Sequence, residues 1–293
     1  MMKLHAFMHS TRRVAGMVAI GVCSAWLGTT QASIIAIDDF SSASSLLDLS
    51  GSARIIGDPG YLELTQDGHA GQAGSAYLKT PLNYKPTIGF TATFRFQILH
   101  NGGRASEADG LVFLILPQNP EVHPLGDPGG NLGYLYNGLT PIILPHYAIE
   151  FDTHLNPALG DPSNEHIALT RFSPGIVSAT TTLASSDAIF ADGLEHEVVV
   201  EAGRNGSSLL RVFLDDQLAL SFDFSHERGL NDPSLGQPGF GHRFATGFGF
   251  SAATGVGTAT HRINSWLLSV PLPATSWLLG LGLVALRIQA PSR

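Results

Sequence analysis

Between Ser33 and Val270 the apolar residues recur every second position or in short unbroken runs, with little of the three-to-four spacing of helices. "GFTATFRFQI" (Gly89–Ile98) alternates apolar and polar, which predicts a half-buried strand. "GLVFLILP" (Gly110–Pro117) is apolar throughout, which predicts a strand buried on both faces. His196–Phe224 reads as three strands, with turns at Asn205-Gly206 and Asp215-Asp216. "ATGFGFSAAT" and "THRINSWLLSV" predict two more strands around the loop Gly255–Ala259. Gly- and Pro-rich stretches at 118–146 and 228–243 predict long loops. Val256-Gly257-Thr258 makes no phosphate loop, because no helix follows it. Many strands with turn signals, no repeat and no linker predict one all-β domain, a jelly-roll β-sandwich.

The two ends have a different character. Lys3, Arg12 and Arg13 precede an uncharged run from Val14 to Leu27, and Thr30-Gln31-Ala32 offers a small-residue cleavage site before Ser33. Residues 1–32 are therefore expected to be a secretory signal peptide, since the run is short for an anchoring helix. The one cysteine, Cys23, lies in that run, so the mature domain is expected to have no disulfide and to rely on core burial and on any metal it binds. At the other end, "VPLPATSWLLGLGLVAL" is followed by Arg287 and Arg293. Residues 270–293 resemble the PEP-CTERM class of bacterial sorting signals in its VPLPA variant. That resemblance implies an exosortase-type sorting machinery as partner and a transient membrane segment. A plain C-terminal anchor is the alternative. In either case the domain at 33–269 is expected to face outward, at the cell surface or secreted.

All 24 acidic residues lie between the two ends, against 11 basic ones, which leaves the mature domain thirteen charges negative. Such a domain is a poor partner for nucleic acid or an anionic membrane surface, and it suits a cation-loaded or sugar-binding protein.

The candidate chemistry sits in "YAIEFDTHLNPALGDPSNEHIAL", Tyr147 to Leu169. In a strand, Glu150 and Asp152 share one face while Ile149 and Phe151 share the other. Two neighbouring carboxylates repel and are costly to bury unpaired. No Lys or Arg occurs between Arg104 and Arg171 to pair with them locally. A bound cation would resolve the conflict. Carboxylates, an Asn amide and backbone carbonyls suit Ca²⁺. A His beside carboxylates suits Mn²⁺ or Zn²⁺. A solvated acidic edge is the other reading.

"AIEFDTHLNPALGDPSNEHIAL" closely resembles the metal loop of the legume (L-type) lectins. The resemblance implies that Glu150 and His166 hold a transition metal, with Mn²⁺ preferred, and that Asp152 and Asp161 touch both ions. It assigns Asn156 and the His154 carbonyl to Ca²⁺, and Ser173 to the transition metal through water. "EADGLVFLILP" resembles the family's strand with a cis Ala-Asp peptide, which makes Asp109 the acceptor of sugar hydroxyls. "GGNLGYL" resembles its glycine loop, which makes the Gly130 N–H a sugar donor. "GFGFSAATGVGTATHRINSW" resembles its closing segment, which places Val256 and Gly257 where the sugar is chosen. His154 stands where the family often carries an aromatic ring against the sugar. Thr170 and Ala168 stand where it carries Asp and Gly.

These features imply a carbohydrate-binding protein with structural metals and no catalysis. A jelly-roll glucanase is the enzymatic alternative, and Glu150-Phe151-Asp152 begins such a motif. The second glutamate is missing, since His154 and Leu155 occupy its positions. A biofilm-matrix protein with a degenerate sugar site is the non-binding alternative.

Overall fold

The computed structural model describes residues 32–79, 89–100, 107–117, 125–136, 146–173, 179–203, 207–226 and 246–271. The expected leader up to residue 31, the tail from residue 272, the Asn205-Gly206 turn and most of the two long Gly/Pro-rich stretches lie outside these residues. Among the described residues no helix is long and apolar enough to cross a membrane.

Fifteen strands and a few single 3-10 turns make up the described chain. In order they are β1 (Ala32–Ile37), β2 (Leu47–Gly51), β3 (Arg54–Gly57), β4 (Gly60–Thr65), β5 (Ala73–Leu78), β6 (Phe90–Leu99), β7 (Gly110–Pro117) and β8 (His146–Asp152). Then come β9 (His166–Ser173), β10 (Ala179–Asp187), β11 (His196–Ala202), β12 (Leu209–Leu214), β13 (Gln217–Asp223), β14 (Thr246–Ala253) and β15 (Thr260–Pro271). They pair antiparallel in two sheets. One has the order β13-β12-β11-β6-β15-β4-β3, and the other β10-β9-β8-β7-β14-β5-β2. The long β15 shares one edge between two partners, β4 along His261–Ile263 and β1 along Trp266–Pro271. This is the expected all-β sandwich.

The strand expectations match in detail. β7 has the limits read from its apolar run, and it is buried on both faces as that run implied. Leu111, Phe113 and Ile115 face the core between the sheets, while Val112, Leu114 and Leu116 pack under the segment Leu132–Leu135. β6 alternates buried and partly exposed positions along its length. Asp215 and Asp216 both have positive φ, 46° and 64°, which is the turn geometry that suits a two-residue hairpin. Aromatic rings from both sheets fill the centre. Phe94 lies 5.0 Å from Phe250 and Phe96 5.1 Å from Phe151, edge-on or tilted, so rings from the two sheets interlock at the core.

His261 on β15 is an exception within that core. It is fully buried, and its Nδ1 lies 2.7 Å from Thr65 Oγ1. The Thr65 hydroxyl donates to the Ala259 carbonyl at 2.9 Å, so Nδ1–H is the donor to Thr65 and Nε2 carries the lone pair. Nε2 is buried without a partner, and burial pushes the ring's pKa down to about 3. The unfolded chain takes up a proton near pH 6.5, which the folded chain refuses until about pH 3. Stability contributed by this residue is therefore present above pH 6.5 and lost as the pH falls through that window. The expected loss is on the order of 3 kcal/mol by pH 4. Melting curves of the wild type and His261→Gln at pH 7 and pH 4 check it. An equal acid shift in both proteins would exclude His261 as the cause.

Candidate functional site

Four loops meet at one end of the sheet β10-β9-β8-β7-β14-β5-β2. The first is the start of β7. Asp109 precedes it, joined to Ala108 by a cis peptide as the resemblance implied. Its backbone N–H donates to the Ala253 carbonyl at 2.9 Å, and its carbonyl accepts from Thr153 N–H at 2.9 Å. Asp109 is thus fixed between the ends of β14 and β8.

The second loop is Leu125–Tyr136. Its 3-10 turn Gly129–Asn131 ends at Leu132 in the left-handed region, and the Gly129 N–H donates to the Thr254 carbonyl at 3.2 Å. A Cβ on Gly130 would stand 2.6 Å from Asn156 Oδ1, so the absence of a side chain lets the Asn156 amide sit directly against this turn. The third is the closing loop. A Cβ on Gly255 would stand 2.9 Å from Asp109 Oδ2, and the Gly255 N–H donates to that carboxylate. Val256 beside it is fully exposed, and Gly257 is half-buried.

The fourth is the acidic loop after β8. Register pairs Asp152 with His166 across the β8–β9 ladder, and Glu150 with Ala168. Glu150 and Asp152 lie on the face away from the core while Ile149 and Phe151 enter it, as the alternation predicted. Asp152, Asp161 and His166 each present a ligand atom within 4.8 Å of the others, a group that could hold a metal ion. Local hydrogen bonds fix their aim. Asp152 Oδ1 accepts from His154 N–H at 2.7 Å, and Asp161 Oδ2 accepts from Asn156 N–H at 2.6 Å. His166 Nδ1 lies 3.1 Å from the Ser163 carbonyl, which can only accept, so Nε2 is the bare nitrogen. It faces Asp161 Oδ1 at 3.9 Å. A ring held by an outer carbonyl with its lone pair toward carboxylates is the usual arrangement of a metal-ligating histidine.

The electrostatics fit a cation. Burial pushes Asp152 up to about 9, aided by Asp161, Glu150 and Asp109 and opposed by the His154 N–H. Burial likewise raises Asp161, and brings Asp109 to about 6 against the lowering influence of His154 and the Gly255 N–H. Carboxylates this crowded favour a shared positive charge. Asn156 Oδ1 and Asp109 Oδ2 are buried without a protein hydrogen-bond partner, two oxygens suited to a ligand.

The structure therefore brings Asp109, Gly130, Asn156 and Gly255 together, with His154 exposed nearby and Val256 and Gly257 on the adjoining loop. One expectation changes. Ser173 ends β9, seven residues beyond His166, and a rise of about 3.3 Å per residue puts it roughly 20 Å from the acidic loop. It is not a ligand to this site, even through water. The serine that register does bring across is Ser185 on β10, paired with Ala168, which is paired in turn with Glu150. Ser173 and Ser185 lie on opposite arms of one hairpin, and only the pairing register tells which arm is near.

Glu150 also has company that spacing did not reveal. Its Oε1 accepts from the Tyr134 hydroxyl and from Thr170 Oγ1, the latter at 3.2 Å. Burial raises its carboxyl to about 7, although both hydrogen bonds work against that. Thr170 was visible as a departure from the lectin pattern, and Tyr134 had no such signal. A second unforeseen feature is the turn after β4. Thr258 Oγ1 donates to Asp67 Oδ1 at 2.8 Å, and the Gly71 N–H donates to the Gly255 carbonyl at 3.0 Å. The turn straps the closing loop, with Asp67 lying 191 positions before Thr258 in the chain.

Comparison with known proteins identifies the family. The family model described as legume lectin domain matches residues 35–277. The basic agglutinin of Psophocarpus tetragonolobus is 32% identical over 196 residues, covering 64% of this chain and 71% of the agglutinin. A probable L-type lectin-domain containing receptor kinase S.7 of Arabidopsis thaliana is 31% identical over 202 residues, 66% of this chain, and the match spans 28% of the kinase's length. Among solved structures, the winged bean acidic lectin complexed with methyl-α-D-galactose superposes with a TM-score of 0.62 at 26% identity, covering 83% of this chain and all of that one. The basic winged bean lectin with Tn-antigen gives 0.62 at 27% identity over the same shares. The chain belongs to the legume lectin family and has its carbohydrate-binding fold.

Proposed function

We infer that this is an exported lectin, shown on a cell surface or secreted, whose sugar cup is organised by Ca²⁺ and a transition metal, Mn²⁺ in preference. The observation that carries the reading is the meeting of Asp109, Gly130 and Asn156 beside the Asp152–Asp161–His166 group, with Asp109 Oδ2 and Asn156 Oδ1 buried and unpartnered. Asp152, Asp161, Asn156 and the His154 carbonyl would hold Ca²⁺. Glu150, Asp152, Asp161 and His166 would hold the transition metal, with Ser185 in the place first given to Ser173. The ions supply fixed positive charge that keeps the acidic loop, and with it Asn156, in place. Asp109 accepts from sugar hydroxyls, the Gly130 N–H donates, His154 forms a wall, and Val256 and Gly257 line the rim where the sugar is selected. A degenerate matrix protein is disfavoured, because all three polar members of the cup are present.

Residues 1–32 act as the leader and 270–293 as the sorting segment for an exosortase-type machinery of a bacterial cell. A shallow polar cup binds a single sugar weakly, so display of many copies would raise avidity. A glycan array probed with and without Ca²⁺ and Mn²⁺ tests the reading. Binding to a restricted set of glycans, present only with the ions, is expected. A blank array with both ions present would overturn it.

A further inference from the structure

Tyr134 connects the metal group to the sugar loop. It lies four residues after Gly130 and is 1% exposed, in an apolar cluster with Val112, Leu114, Leu132 and Ala148. Its hydroxyl donates to Glu150 Oε1 and lies 3.1 Å from Thr170 Oγ1, which donates to the same oxygen. The main chain around it is a closed unit. The Tyr134 N–H donates to the Asn131 carbonyl at 3.1 Å, the Gly126 N–H to Gly133 at 2.7 Å, and the Asp127 N–H to Leu135 at 2.8 Å. Ser251 on β14 clamps the Leu132 carbonyl at 2.9 Å. An aromatic side chain has two stiff torsions, and close packing leaves this one little room to adjust. Displacement of Glu150 would therefore pass to the turn that carries Gly130.

The geometry points to Tyr134 as a positioning residue that couples the transition-metal ligand Glu150 to the Gly130 loop, with Thr170 as a second support on the same carboxylate oxygen. Ordering of Glu150 by the metal orders the sugar donor, and by reciprocity a bound sugar tightens the metal. The inference rests on the metal and sugar reading above. Outer partners of metal-ligating side chains change metal affinity about 10–100-fold when removed.

The test uses the full chain loaded with Ca²⁺, titrated with Mn²⁺, and followed by calorimetry and by amide hydrogen exchange of segment 129–135. In the wild type, Mn²⁺ is expected to slow exchange in that segment. Tyr134→Phe keeps the buried ring and is expected to bind Mn²⁺ about tenfold more weakly. At saturating Mn²⁺ it should show no slowing. Thr170→Val is expected to weaken Mn²⁺ by a smaller factor and to keep the slowing. Failure of the wild type to bind either ion overturns the metal reading and this inference together. Mn²⁺ binding by the wild type without slower exchange, or equal slowing in Tyr134→Phe, overturns this inference alone. The wild-type arm decides this even if the variant does not fold.

Discussion

Removal of divalent cations with EDTA is expected to abolish glycan binding and to lower the melting temperature by roughly 5–10 °C. The cause lies in the acidic loop. Asp152 and Asp161 are raised by burial, and the described site offers them hydrogen bonds from His154 and Asn156 N–H groups but little compensating charge. An ion that binds the folded chain at a hundred times its dissociation constant stabilises it by about 2.7 kcal/mol. For a domain of this size each kcal/mol moves the melting temperature by about 2–4 °C. The centre of the aromatic core is packed from strand residues such as Phe94, Phe96, Phe113 and Phe250, so the chelated protein should stay folded with a loosened site. Differential scanning calorimetry and binding to galactosyl and mannosyl resins, before and after EDTA and after return of Ca²⁺ and Mn²⁺, measure both effects. A chelated protein that keeps its melting temperature and its sugar would remove the metals from the account.

Asp109→Asn is expected to lower sugar affinity at least a hundredfold while changing stability by less than about 1 kcal/mol. The carboxylate is an ionised acceptor, and each charge-assisted hydrogen bond it makes to a sugar hydroxyl is worth about 1.5–3 kcal/mol. Two such bonds cover the predicted loss. The amide has the same shape, so the backbone bonds of Asp109 to Ala253 and Thr153 persist. It also removes a buried charge whose Oδ2 has no protein partner, which offsets the weaker bond to the Gly255 N–H. Titration calorimetry with a glycan picked out by the array, paired with a melting curve, separates the two effects. Undiminished affinity would place the sugar elsewhere.

Local patterns made much of this protein legible. The run from Gly110 to Pro117 is apolar at every position, so burial on both faces was written in its composition, and β7 has the same limits. Asp215-Asp216 carries turn chemistry in the residues themselves. The metal group was readable because Asp152, Asp161 and His166 come from one loop and the strand starts beside it. Short sequence separation converts directly into spatial proximity there.

Long-range partners were not readable in this way. Tyr134 meets Glu150 because two separate elements pack on one face of β7 and β8, and nothing in the local sequence of Tyr134 encodes that meeting. The strap from Asp67 to Thr258 joins the two ends of the domain through the pairing of β4 with β15. Ser173 and Ser185 show the same limit on a smaller scale. Ser173 lies at the far end of the strand that carries Ala168, and the register of β10, with its irregularity between Thr182 and Ala184, brings Ser185 opposite Ala168.

By itself the sequence determined the all-β class, the two-faced burial of β7, the acidic loop with its ligand types, and the lectin resemblance, because each is written in residue identity and short spacing. Tertiary packing alone brings Asp109, Gly130, Asn156 and Gly255 to one end of the sheet, puts Ser185 and not Ser173 in the cross-strand row of Ala168 and Glu150, and lets the Tyr134 hydroxyl reach Glu150. Those outcomes depend on strand register and on loops closing across the sandwich, which are set by packing between separate elements rather than by local pattern.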